Sequence, residues 1–192
     1  MITTLAKLKE RLGITDALKD ALLTQIIVGV GARFDDETQR TLARTAGATE
    51  EFRAERVVVF PRCYPIEVVT KLEAKCTEAE GWVEITNVDW LIHQSAVVRL
   101  DMPVGPAGTI ARITYTGGYV MPGAVPGEGQ TALPTILESA AVEQAAMWYQ
   151  LQANIGVYRV EVAGGTYLEL ADRYWVPWVR TVLRRYRRWA VL

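Results

Sequence analysis

Along the first third of the chain, apolar positions recur at helical spacing. Leu5, Leu8 and Leu12 form a short stripe that Gly13 closes. Asp16 then reads as the N-cap of a long helix with Leu18, Leu22, Ile26, Val30 and Phe34 on one face. The pattern predicts that this helix continues through "DDETQRTLARTA" and stops at Gly47, a natural residue for a left-handed cap. Gly29 and Gly31 fall inside it, each costing about 1 kcal/mol relative to Ala, so a neighbour is expected to pack closely there.

The periodicity then changes. "RVVVFPRCYPIEVVTKLEA", "GWVEITNVDWLIHQSAVVRL" and "GTIARITYTGGYV" interleave polar residues with Val, Ile, Thr and aromatics. They predict strands of a small antiparallel sheet over about residues 55–119. Pro61 and Pro65 confine their surroundings to an edge or a kink. Ile113 and Tyr115 should share one face, Arg112 and Thr114 the other. "MPGAVPGEGQTALP" reads as an exposed loop. Pro134 suits the first position of a second long helix, about 134–153, with Ile136, Leu137, Ala140, Ala141, Trp148 and Leu151 on its apolar side. A short β-like stretch, "VYRVEVAGGTYLEL", leads to a last helix that Pro177 starts.

The expected architecture is α+β: a helical core of two long helices, a small central antiparallel sheet and a carboxy-terminal amphipathic basic helix. It reads as one domain over 1–192, made of helices at 1–47, a β-rich middle at 55–119, the second long helix at 134–153 and the basic helix at 172–192.

The last helix divides sharply by angle. Trp178, Val179, Val182, Leu183, Tyr186, Trp189 and Ala190 fall within an arc of roughly 140°. Arg180, Arg184, Arg185, Arg187 and Arg188 take the arc from roughly 180° to 340°. No Lys, Glu or Asp stands among them. The whole chain has 21 Lys and Arg against 22 Asp and Glu, a net charge of -1, so any electrostatic role is local and a generally basic nucleic-acid-binding surface is excluded. Four readings of the cationic side stand open: a solvated face, a membrane surface, nucleic-acid phosphates, or an acidic patch on a protein partner, to which planar Arg is well suited.

Other chemistry finds little support. Cys63, Cys76 and the single His93 do not make a four-ligand zinc site at any usual spacing; both thiols are expected to be small buried hydrophobes in a reduced, cytosolic setting. The start "MITTLAKLKERLG" has no signal-peptide core, and "ALLTQIIVGVGA" is too short to span a bilayer. "GVGARF" lacks the preceding strand and third glycine of a dinucleotide fingerprint, and "VPGEGQT" lacks the Lys-Ser/Thr of a phosphate loop. His93 has no nucleophile motif beside it. "FDDETQR" reads as a solvated helix face or an interface for a basic surface. No catalytic, metal or cofactor residue is assigned, and an enzyme is not expected.

Three stretches carry a resemblance: the start "LAKLKERLGITDALKDALLTQIIVGVGARFDDETQR", the strand "ITYTGGYV" ending in Tyr-x-Gly-Gly-Tyr, and the Pro-rich loop running into "ALPTILESAAVEQAAMWY". Their order resembles the head–tail connector (adaptor) proteins of long-tailed bacteriophages, over the first forty or so residues and about residues 110–150. The resemblance implies a virion structural protein assembled in the host cytoplasm. Such adaptors form a homo-oligomeric ring, commonly twelvefold, beneath the portal protein. The ring extends the channel for genomic DNA, without sequence specificity, and carries a downstream neck or tail protein. It also implies a helical core and a terminal extension able to dock on the portal. Here that would be residues 177–192, with Arg180, Arg184, Arg185, Tyr186, Arg187, Arg188 and Trp189 as contacts. Gly117, Gly118 and Tyr119 would pack between subunits or simply end a strand, and the loop at 121–130 would line the channel or touch a neighbour. The β-rich stretch at about 55–110 is larger than in the shortest members. A nucleic-acid-binding module using the last helix, and another neck or tail-completion protein, are the alternative functions.

Overall fold

The computed structural model describes residues 1–151, 159–162, 166–169 and 175–188. The chain divides into two compact units: Met1–Thr38 with Leu133–Arg187, and 39–132 with Arg188.

The first unit is helical. Helix α1 (Leu5–Leu12) is capped by Thr4, whose Oγ1 accepts from the Lys7 N–H, and closed by Gly13 at φ 68°. Helix α2 (Asp20–Thr38) buries Leu23, Ile27, Val30 and Phe34. Val30 and Phe34 are buried as the sequence predicts, but in the first half of the helix the buried face is turned by one residue, Leu23 and Ile27 taking the places of Leu22 and Ile26, and Leu18 is 92 % exposed. Asp16 caps a turn instead of the helix: its Oδ1 accepts from the Leu18 N–H at 2.9 Å. Helix α3 (Thr135–Leu151) follows Pro134, whose carbonyl accepts from the N–H of Leu137 and Glu138. Its Ala140, Ala141, Ala145 and Ala146 are buried, and a Cβ placed on Gly29 of α2 would lie 3.4 Å from the Trp148 ring. Helix α4 (Pro177–Tyr186) buries Val179, Val182 and Leu183. Just before it, Trp175 tilts against Phe34 with ring centroids 5.8 Å apart, and the Val176 N–H donates to Gln144 Oε1 at 3.0 Å.

The second unit is β-rich. Strand β7 (Ile110–Gly117) is central in a sheet of order β1-β7-β3-β4, between β1 (Thr45–Arg53) and β3 (Ile66–Lys75), with β4 (Val83–Glu84) at the far edge. A second sheet, β2-β6-β5, joins Val58–Val59, Val97–Leu100 and Trp90–His93. Strands β8 (Tyr119–Val120) and β9 (Thr131–Ala132) form a parallel pair. Strands β10 (Arg159–Val162) and β11 (Thr166–Glu169), in the first unit, pair antiparallel. Ile113 and Tyr115 face a core with Ile66, Val69, Leu72, Val98 and Leu100, because alternation along β7 sends both to one side. Burial pushes the Tyr115 phenol up to about 12, although its oxygen accepts a bond from the Cys63 N–H.

These observations correct the expected fold class. Two long helices around a small central sheet are not what forms: the described residues hold eleven strands in four sheets beside helices of 8, 19, 17 and 10 residues. The decisive difference lies after Phe34. Helix α2 ends at Thr38, whose hydroxyl bonds back to the Phe34 carbonyl at 2.7 Å, and Gln39 takes φ 54°. Residues 45–53 then become β1, paired along β7. Gly47 does adopt a left-handed φ of 68°, but at a register shift in that strand, not at a helix end. Cys63 is buried, with Sγ 3.0 Å from the Gly117 carbonyl oxygen, whereas Cys76 is exposed, contrary to expectation.

Candidate assembly interface

Helix α4 exists because Val179, Val182 and Leu183 give it one apolar side to bury. Pro177 occupies its first turn, where a missing N–H costs nothing. Arg184 and Arg185 stand in its last turn, where cations complement the helix dipole. The same 100° spacing leaves Arg180, Arg184 and Arg185 exposed, and Arg187, just past the helix end, is exposed as well. None of these four makes an ion pair with a described residue. Three cations near the start of the chain are occupied: Lys7 pairs with Glu138, Lys9 with Asp20 and Arg11 with Glu143, at 2.7, 2.7 and 2.6 Å. Lys19 donates to the Tyr149 hydroxyl. Tyr186 is half-buried, and Trp189 lies outside the described residues.

Arg188 differs from the other four arginines. Strand alternation puts Ala48, Glu50 and Phe52 on the inward side of β1, so the Glu50 carboxylate is largely withdrawn from water. Arg188 Nη2 donates to Glu50 Oε1 at 2.9 Å and also to the Phe60 carbonyl. Arg62 approaches the same carboxylate at 3.8 Å. Arg188 is thus consumed by its own chain.

Gly117 and Gly118 are also occupied internally. A Cβ on Gly117 would meet the carbonyl oxygens of Cys63 and Pro65, and one on Gly118 would lie 2.6 Å from the Ala43 carbonyl oxygen, at a φ of 99°. Tyr119 bridges to Ala43: its N–H donates to Leu42 and its carbonyl accepts from Arg44. This packing fixes the root of the loop at 121–130.

Two features of the β-rich unit escaped sequence reasoning. One is a charge cluster around the buried Glu73, which accepts from the partly exposed Lys71 at 2.8 Å and Arg112 at 2.7 Å; Arg112 stacks 4.2 Å from the Trp82 ring. Its hydrogen bond to Lys71, and the bonds and charge of Arg112, hold the Glu73 carboxyl below its ordinary range. Only the alternation of Lys71, Glu73 and Lys75 along β3 hinted at it. The other is an open groove of about 440 Å³ between β1 and β2, lined by Gln39, Glu50, Glu51, Phe52, Arg53, Arg56 and Val58–Phe60, with Arg188 at its wall. Among the described residues no group of three or more His, Cys, Asp or Glu is placed to hold a metal, and no helix is long and apolar enough to cross a membrane.

No family model and no curated protein matches the sequence. Among solved structures, the fold is similar to a chain from the neck of an empty GTA particle computed with C6 symmetry. The TM-score is 0.60 at 19 % identity, covering 100 % of this chain and 92 % of that one. It is similar to the same degree to a chain of the virion of a native gene transfer agent particle, with TM-score 0.60, 18 % identity and the same coverage. This chain carries that fold from end to end.

Proposed function

We propose that the chain is a structural component of a phage-like particle neck, an adaptor that forms a ring beneath the portal and carries the next neck or tail protein. The observation that supports this reading is the likeness in fold, over the whole chain, to a chain from a gene transfer agent neck. The exposed Arg180, Arg184, Arg185 and Arg187 supply the contact. Each exposed ion pair with an acidic portal surface is worth about 0.2–1 kcal/mol, too little alone. Repeated around a ring, twelvefold in the adaptors the sequence resembles, such contacts act together and hold firmly. Arg188 is left out of the contact set because Glu50 already holds it. Gly117, Gly118 and Tyr119 act by anchoring the loop at 121–130, which faces the channel or the adjacent subunit.

The test is binding of the purified chain to its cognate portal ring, measured by co-sedimentation. Replacing Arg180, Arg184, Arg185 and Arg187 together by Ala should remove binding and leave the circular dichroism spectrum unchanged. Undiminished binding would refute the assignment of the contact. One observation favours a second reading: the same four arginines, without ion pairs among the described residues, could meet phosphates. Duplex binding that falls steeply with salt and ignores sequence would mark that case.

A further inference from the structure

The loop between β8 and β9 is built to project. Its ends are pinned by the parallel pair of Tyr119 with Thr131 and Val120 with Ala132. Two turns shape it from within: the Ala124 N–H donates to the Met121 carbonyl, and the Gln130 N–H to the Gly127 carbonyl. Gln130 Oε1 in turn accepts from the Gly127 N–H at 2.9 Å. Between these turns stand Val125 and Pro126. Val125 is 92 % exposed, although a valine at a loop tip gains nothing from water. A loop held at its base and braced internally loses little conformational entropy on binding.

The groove between β1 and β2 is the complementary shape. Phe52, Val58, Val59 and Phe60 supply its apolar lining. Its cations Arg53 and Arg56 are exposed and make no ion pair with a described residue. The backbone edge of β1 away from β7 pairs with no strand among the described residues. Glu128, exposed and three residues beyond Val125, is opposite in charge to Arg53 and Arg56, which outnumber the groove's remaining acid: Glu50 is held by Arg188, leaving Glu51.

We propose that the Val125–Pro126 tip of one copy seats in the β1–β2 groove of a second copy, with Glu128 against Arg53 and Arg56. The contact uses two different surfaces, so repeating it head to tail closes a ring when the rotation allows. It goes beyond portal docking, involves none of the α4 arginines, and can fail or hold independently of them.

The test uses the full chain alone, in a Cys76→Ser background that removes the exposed native thiol. One preparation carries Val125→Cys and another Val58→Cys; the two are mixed at high concentration under mild oxidation. A Leu18→Cys preparation, whose site is equally exposed at 92 %, replaces Val125→Cys as the control. The mixed disulfide should form at least about tenfold faster with Val125→Cys than with the control, because a seated tip raises the effective thiol concentration. Adding Glu128→Arg should bring that rate down to the control value. Equal rates for Val125→Cys and Leu18→Cys would overturn the proposal. So would a Val58→Cys thiol shielded from a small soluble reagent in dilute monomer, since the groove would then be filled from within its own chain.

Discussion

Arg188 donates to Glu50 Oε1 at 2.9 Å across 138 positions of sequence. The pair separates two roles within one run of arginines. Glu50 is on the inward side of β1, with its side chain only 14 % exposed, and without Arg188 its charge would lack its closest partner.

Arg188→Ala should therefore destabilise the protein by about 2 kcal/mol, the range for hydrogen bonds to a charged group withdrawn from water. Ala at Arg180, Arg184, Arg185 or Arg187 should stay within about 0.5 kcal/mol of wild type, as exposed sites do. Urea midpoints at constant slope measure both. A Glu50→Gln, Arg188→Ala double variant should lose less than the sum of the single losses. Additive losses would show that the pair is not coupled.

Gly118→Ala should be severe, costing about 3 kcal/mol or more. The new Cβ would press on the Ala43 carbonyl, which is backbone and cannot swing aside, at a φ that L residues rarely adopt. Gly13→Ala shares the positive φ but meets nothing within 4 Å, so it should lose only about 1 kcal/mol, the cost of the strained φ. Thermal unfolding of the two variants side by side separates steric clash from strain; similar melting points would contradict the packing at Gly118.

Gly31→Ala should stabilise by up to about 1 kcal/mol. The site is interior to α2, and its nearest obstacle is the Ile2 side chain at 3.8 Å, an ordinary contact. Gly29→Leu should do the opposite, because Trp148 stands 3.4 Å from the first added carbon. A destabilised Gly31→Ala would show that the glycine serves something other than space.

The Glu73 cluster predicts a pH dependence. The folded-state carboxyl lies below its ordinary value of 4.5, chiefly through the hydrogen bond from Lys71 and then through Arg112. Its contribution to stability is present above the unfolded value and is lost as pH falls through the lower folded one. Glu73→Gln should thus cost more at pH 7 than at about pH 3. A cost that does not change between those pH values would contradict the charge assignment.

Much of the local structure was legible in the sequence. Gly13 and Pro177 mark helix ends by backbone chemistry that depends on few other residues, and the alternation at Ile113 and Tyr115 is a local property of one strand. The exposed side of α4 followed from angular spacing alone. The misreadings lie where distant residues decide. "TAGATEEFR" has little strand character of its own and becomes β1 because β7 offers a paired edge. In α2, apolar residues occupy adjacent positions at Leu22–Leu23 and Ile26–Ile27, so the pattern fixes the period but not which face turns inward; packing with α3 and α4 selects Leu23 and Ile27. Arg188 falls on the cationic arc of an extrapolated helix, yet the helix ends at Tyr186. Its partner comes from a strand that no local pattern could link to it.

The most direct test of the central claim is electron microscopy of the purified chain mixed with its cognate portal ring, beside a sample with duplex DNA. The account predicts a second ring of density stacked on the portal, with α4 at the contact. Bare portal rings, together with salt-sensitive binding to the duplex, would contradict it.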